Sequence, residues 1–335
     1  MQKSIRFLKK PRLSNPILIT AWPGMGEVAL KSTKYLIEKL GFEAFAYMVS
    51  SDYFYPMASE IKNGVIDIKG LPQNYFYYYK SPSLKNNPKT SNNDLIIFLS
   101  NTQPDLAKAG DYADNILEIA RLYKVGMVIS FAALPASIDH IQNPAVWFSA
   151  TNTELFKQIQ KHGLKVMKEG EISGMNGLFL GLAKKAGFPG FCLLGEVPIY
   201  TIQIENPKTS FAILEKLKMI LNLPLDLNEL QKQGHFIEEE INKLVDYLKE
   251  GISLPSDSGP APISDKEIEK IKKALTQLTR LPRSVKEKIE RLFELSRKDI
   301  SKANELKQEL DTWTVYKEYE DRFLDLFKKP KNESN

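Results

Sequence analysis

Two glycine-broken junctions between an apolar run and a helix constrain this fold more than any other feature. The first reads Ile17-Leu18-Ile19-Thr20-Ala21-Trp22-Pro23-Gly24-Met25-Gly26-Glu27-Val28-Ala29. It is a run short enough for a buried strand, a glycine turn, and an amphipathic helix over residues 27–40 that stops at Gly41. The second, Gly170-Glu171-Ile172-Ser173-Gly174-Met175-Asn176-Gly177-Leu178-Phe179-Leu180-Gly181, opens a helix over 177–186. That helix leads into the apolar run Phe191-Cys192-Leu193-Leu194-Gly195-Glu196-Val197-Pro198. Glycine at such a place lets the backbone turn tightly and leaves the first helical N–H groups open to a ligand or a docking chain.

The pattern around the junctions repeats. Residues 43–49 read as a strand, completing a strand–helix–strand unit, and Leu95-Ile96-Ile97-Phe98-Leu99 suits a strand covered on both faces. Strands over 125–131, 146–149 and 191–195 alternate with helices over 106–123, 153–162, 208–221 and 228–249. Such alternation predicts an α/β fold: three layers, with a mainly parallel or mixed sheet carrying helices on both faces. Asn63-Gly64 marks a hairpin within 61–68, and 81–93 is a polar surface loop. Thr151 followed by Glu154 has the spacing of a capping box for the helix at 153–162. Tyr53-Phe54-Tyr55 and the strand Tyr75–Tyr79 form an aromatic-rich surface candidate suited to protein contact.

The composition breaks near residue 250. Residues 251–264 (GISLPSDSGPAPIS) read as a linker, and nearly half of residues 265–335 are charged. Within 265–328 the apolar positions Ile268, Ile271, Leu275, Leu278, Val285, Ile289, Leu292, Leu306, Leu310 and Trp313 recur at three- and four-residue steps. They predict a helical hairpin or small bundle held by one narrow apolar stripe. Residues 329–335 read as a disordered tail. The organisation expected is an α/β domain over 1–250, a linker and a C-terminal α-helical appendage.

Composition excludes several functions. The 46 basic and 41 acidic residues give a net charge of only +5 and are interleaved, so no nucleic-acid partner is expected. A single cysteine, Cys192, rules out an intrachain disulfide and a cysteine-built zinc cluster; in its apolar run it reads as a small core residue. No run is apolar enough to span a bilayer, which takes about 20 residues, so no membrane partner is expected and the location expected is cytoplasmic. His140, His162 and His235 fall in separate elements and read as surface or helix-end residues. There is no G-x-S-x-G elbow, and no catalytic residues, metal ligands or cofactor are expected.

The binding candidates are therefore the junction residues Trp22, Pro23, Gly24, Met25, Gly26, Gly174, Asn176 and Gly177, with Glu196 in the run that follows. Glu171 and Glu196 flank the second junction and are placed to converge with the first, or to pair with backbone N–H groups. Gly24-Met25-Gly26-Glu27-Val28-Ala29 also fits the dinucleotide fingerprint G-x-G-x-x-A, with Asp52 beyond the next strand. That fit supports an alternative: a nucleotide- or nucleoside-like ligand, or an enzyme, using a glycine-rich crevice lined by Trp22, Gly24, Gly26, Asn176 and Glu196.

Trp22-Pro23-Gly24-Met25-Gly26, Tyr35-Leu36-Ile37 and Asp52-Tyr53-Phe54-Tyr55 resemble the amino-terminal signature of the proteasome assembly chaperone 2 family. Residues 170–181, followed by Leu193-Leu194-Gly195-Glu196-Val197-Pro198, resemble its second signature; Thr151-Asn152 and Pro207 also match, in order. The resemblance spans about residues 14–250. It implies a three-layer α/β fold of phosphorylase/hydrolase-like type, self-association as a homo-oligomer, and binding to protein partners, possibly proteasome-related, rather than catalysis. The ending Phe327-Lys328-Lys329-Pro330-Lys331-Asn332-Glu333-Ser334-Asn335 departs from the hydrophobic–tyrosine–any-residue tail that some archaeal relatives dock into a proteasome ring. Docking by that route is not expected.

Overall fold

The computed structural model describes residues 4–49, 53–54, 59–68, 72–82, 93–251, 283–312 and 315–327. Four parallel strands form its centre: β2 (Ile17–Ala21), β7 (Leu95–Ser100), β8 (Met127–Ala136) and β11 (Gly190–Pro198), in the order β7-β2-β8-β11. All five residues of β2 are buried, because a parallel strand is covered on both faces. Antiparallel strands β6 (Asn74–Tyr79), β3 (Glu43–Met48) and β1 (Ile5–Phe7) extend one side. On the other side β9 (Val146–Ala150) runs antiparallel to β11, and β10 (Lys165–Val166) pairs with β9. The nine-stranded sheet is thus mixed. β4 (Ser59–Lys62) and β5 (Val65–Ile68) make a separate hairpin whose turn residues Asn63 and Gly64 have φ of 51° and 78°, as a tight hairpin turn demands.

Side chains alternate across the sheet and divide the core in two. Ile17, Ile19, Ala21, Ile129, Phe131 and Leu193 face α1 (Val28–Leu40), α3 (Thr153–Gln160), α5 (Pro207–Leu221) and α6 (Asn228–Gly251). Leu18, Ile96, Phe98, Val128, Cys192 and Leu194 face α2 (Ala109–Leu122) and α4 (Met175–Lys185). The expected three-layer arrangement is present.

Three helices form the described part of the appendage: α7 (Arg283–Lys298), α8 (Ala303–Thr312) and α9 (Tyr316–Asp325). Such short helices are marginal alone in water, and burial of their apolar stripe stabilises them. Phe293, Leu306 and Leu310 are at most 1% exposed, each worth about 1.5–3 kcal/mol of transfer free energy. The Arg322 guanidinium sits 4.2 Å above the Phe293 ring and makes a two-pronged pair with Glu290 at 2.8 and 2.7 Å. The linker at 252–264, the first helical stretch to residue 282 and the tail at 329–335 lie outside the described residues, as do Asp52, Tyr55 and most of the 81–93 loop.

Several local expectations are corrected. Asn152, not Thr151, caps α3, its Oδ1 accepting the Leu155 N–H at 2.8 Å. Thr151 Oγ1 instead accepts the Gly190 N–H at 2.8 Å. His140 is buried at 8% exposure rather than superficial. Tyr53 and Phe54 are core residues, packed edge-on against Tyr112, so among the described residues of that candidate surface only the tyrosines of β6 remain partly exposed, joined by Tyr47 of β3. α4 begins at Met175, which places Asn176 and Gly177 inside its first turn.

Candidate functional site

The two junctions meet at the carboxyl end of the central strands. Asn176 uses both ends of its amide on one residue: Oδ1 accepts the Trp22 N–H and Nδ2 donates to the Trp22 carbonyl, each at 3.0 Å. Position two of a helix is one of the few places where a side-chain amide can reach sideways to an adjacent chain. Here it does so as a strand would. The Trp22 ring is fully buried, with ring centres of Phe179, Phe98 and Tyr112 at 5.5, 5.6 and 6.3 Å. Its indole N–H donates to the Tyr112 hydroxyl at 3.1 Å, which donates to Asn74 Oδ1 at 2.8 Å. Burial raises the Tyr112 pKa above the usual phenol value, so this chain of hydrogen bonds carries no charge.

Gln103, in the loop after β7, is the residue that sequence reasoning missed. Its Nε2 donates to the Pro23 carbonyl at 2.6 Å, and its Oε1 accepts the Met175 N–H at 3.0 Å. One side chain thereby fastens both junctions. Only its place at the carboxyl end of a central strand hinted at this.

The glycines differ in what they do. Gly174 has φ of 73° and approaches Gln103. A Cβ at Gly177 would lie 2.1 Å from the Ile172 carbonyl oxygen, so only glycine lets the loop fold onto the helix there. Gly26, at φ of 59°, donates its N–H to the Ile202 carbonyl at 2.6 Å and accepts the Asn206 N–H at 2.8 Å. Gly24 is exposed, in extended backbone, and a Cβ there would meet nothing nearer than Asn176 Nδ2 at 3.5 Å. Pro23 and Met25 are half-buried beside it. Glu27 is half-buried in left-handed backbone, and desolvation raises its pKa.

The two carboxylates, Glu171 and Glu196, are engaged elsewhere. Glu196 accepts the Ala145 N–H at 2.9 Å and the Trp147 indole N–H at 2.8 Å, with Lys165 at 3.6 Å. It fastens the β9 edge to β11, beside a cleft of about 440 Å³ lined by Leu134, Trp147, Val166, Met167, Lys168 and Glu169. Glu171 faces the appendage, 3.7 Å from Lys288 and 4.0 Å from Arg291.

A second polar cluster lies between the start of α5 and the middle of α6. His140 Nε2 pairs with Asn242 Oδ1 at 2.8 Å, and its Nδ1 lies 2.8 Å from the Tyr200 hydroxyl and 2.9 Å from Asp139. Lys208 donates to the carbonyls of His140 and Ile141 and to Glu238 at 3.1, 2.9 and 2.6 Å. The space left among them is about 20 Å³, room for a single water. Burial pushes the Cys192 thiol up to about 12. Among the described residues no group of three or more His, Cys, Asp or Glu is placed to hold a metal, and no helix is long and apolar enough to cross a membrane.

The chain is similar in sequence and fold to several known proteins. An uncharacterised protein of Methanocaldococcus jannaschii, MJ1210, is 27% identical over 252 residues, covering 74% of this chain and 90% of its own length. The crystal structure of PbaB from Pyrococcus furiosus, an archaeal proteasome activator, matches with a TM-score of 0.60 at 26% identity, over 72% of this chain and 97% of PbaB. PbaA from the same organism, an archaeal homolog of proteasome-assembly chaperone, shares the fold with a TM-score of 0.56 at 24% identity, over 74% of this chain and 94% of PbaA. The model of the PAC2 family matches residues 18–245, a span that takes in all but the first residue of β2 and of the first junction, the second junction, and every strand from β3 to β11. The chain belongs to the PAC2 family.

Proposed function

We propose that this chain is a non-enzymatic, self-associating protein that binds other proteins, with the rim of the joined junctions as its recognition surface; that its partners are proteasomal is supported by its similarity to PbaB, an archaeal proteasome activator. The rim comprises exposed Gly24 with half-buried Pro23, Met25, Gly174 and Gly177, and Met175 and Asn176 are buried beneath it. One observation carries this reading: six backbone donors of the two junctions, within reach of the place a phosphate would take, are already engaged. The N–H groups of Trp22, Gly26 and Met175 go to Asn176, Ile202 and Gln103, and those of Glu27, Gly177 and Leu178 go to Gly24 and Gly174 carbonyls. A site built for an anion leaves such groups open; here they lock the surface into one shape, which favours binding a partner.

The test mixes the purified chain with proteasome α-subunits from the same genome and follows sedimentation velocity. A complex at micromolar concentration is expected. Free migration of both components, together with stabilisation or turnover of a nucleotide or nucleoside by this chain, would overturn the reading. A ligand at 100 times its dissociation constant contributes about 2.7 kcal/mol, enough to register in a thermal shift.

A further inference from the structure

We propose that the outer edge of β1 is a second docking surface, separate from the junction rim, and that it takes an extended acidic segment of a partner protein as an added strand. β1 ends the nine-stranded sheet, with β3, β6 and β7 between it and β2.

The ladder to β3 decides which backbone groups of β1 are used. The Val49 N–H donates to the Ser4 carbonyl at 2.7 Å, and the Leu8 N–H donates to the Phe45 carbonyl at 2.8 Å. Antiparallel residues alternate between pairs that exchange hydrogen bonds and pairs that do not. Ile5 lies opposite Met48, Arg6 opposite Tyr47 and Phe7 opposite Ala46. Ser4, Arg6 and Leu8 therefore bond inward, and the N–H and C=O groups of Ile5 and Phe7 point away from the sheet. No described residue takes these four groups. Open donors and acceptors on an edge are a template for one more strand.

The charge of this edge selects what pairs with it. Residues 1–13 hold five basic and no acidic residues, equal to the chain's whole net charge of +5, so the rest of the chain is balanced. Arg6, Lys9, Lys10 and Arg12 are exposed. Glu43 engages Lys9, while Arg6, Lys10 and Arg12 have no acidic partner among the described residues. Basic residues on an edge repel a strand of like charge, a second β1 included, and favour an acidic one. Phe7 and Leu8, at 36 and 58% exposure, add apolar contact. Register makes the pattern specific. An added strand meets Arg6 on the face that carries Tyr47, and Ile5 and Phe7 on the other. An acidic residue flanked by two apolar ones answers all three. Nucleic acid or anionic lipid would answer the charge but offers no amide ladder to the open groups.

The test follows the fluorescence anisotropy of a labelled peptide alternating glutamate and valine as the full chain is added. Binding is expected. The double variant Arg6→Glu with Lys10→Glu, both on exposed side chains, should bind it roughly tenfold more weakly and should take a peptide alternating lysine and valine instead. The glutamate–valine peptide N-methylated on every valine should lose binding, because the valines are the residues that oppose Ile5 and Phe7 and methylation removes their ladder donors. Equal binding of the methylated peptide reduces the contact to charge and overturns strand addition. Affinity unchanged in the double variant overturns the assignment to β1. No binding at millimolar peptide, or tighter binding of single-stranded DNA or anionic vesicles than of the peptide, overturns the proposal outright. None of these outcomes bears on the rim, which variants at Gly24 test separately.

Discussion

Replacing Asn176 by alanine tests the joined junctions at their most specific contact. The variant loses two hydrogen bonds of 3.0 Å, both buried, worth about 1 kcal/mol each net. It also strands the Trp22 N–H and carbonyl away from water, at about 1–3 kcal/mol for each group left unpaired. Alanine returns about 0.5 kcal/mol as the better helix former. Since the stranding cost already contains the lost bonds, the balance is a loss of about 1.5–5.5 kcal/mol, or roughly 3–22 °C in melting temperature for a domain of this size. Urea unfolding followed by the fluorescence of buried Trp22 is the assay. Asn176→Asp adds a pH signature. The introduced carboxyl must stay protonated to donate to the Trp22 carbonyl, so its folded pKa lies above the unfolded value of about 3.9. Its stabilisation is complete below that pH and fades as pH rises through the folded pKa. Asn176→Asp should match wild type near pH 4 and be no better than Asn176→Ala at pH 7. A wild-type midpoint for Asn176→Ala, or a pH-independent deficit for Asn176→Asp, would refute the reasoning.

Three further outcomes are expected. Gly24→Ala should leave the melt within about 0.5 kcal/mol of wild type, while Gly177→Ala, with its Cβ 2.1 Å from the Ile172 carbonyl oxygen, should cost several times that; equal effects would contradict the distinction drawn between the glycines. Because desolvation raises the Glu27 pKa, its ionisation opposes folding above the unfolded value of about 4.3. Glu27→Gln should therefore melt higher than wild type at pH 7, and the gap should close below about pH 4, as differential scanning calorimetry would show. Cys192, with its thiol pushed up to about 12, should resist a thiol reagent at pH 8 until urea unfolds the chain; rapid labelling of the native protein would disprove its burial.

Much of the fold was legible because its signals are local. Apolar runs such as Leu95–Leu99 can only be doubly covered strands, and Gly41 stops α1 as a left-handed cap with φ of 70°. The central parallel order follows from strands alternating with helices. The antiparallel flanks did not follow, because β1 and β10 are three and two residues long and their pairing depends on partners far along the chain. The site was legible in part. The glycines at both junctions marked where the backbone turns, and Asn176 was picked out with them. Its role was not readable, since nothing near residue 176 reveals that Trp22 lies beside it. Gln103 carried no signal beyond its place after a central strand: a glutamine in a polar loop reads as solvated until two other loops bring a carbonyl and an N–H to its amide. Thr151 illustrates the opposite error, where a matching spacing attracted a role that the neighbouring Asn152 takes.

The most direct measurement of the central claim is the affinity of this chain for proteasome α-subunits, by titration calorimetry, for wild type beside Gly24→Ala and Gly24→Glu. If the rim around Gly24 is the recognition surface, wild type binds with heat, Gly24→Ala is close to it, and Gly24→Glu is at least tenfold weaker with an unchanged melt. Equal affinity for all three, or binding only of a small molecule that Gly24→Glu abolishes, would contradict the account.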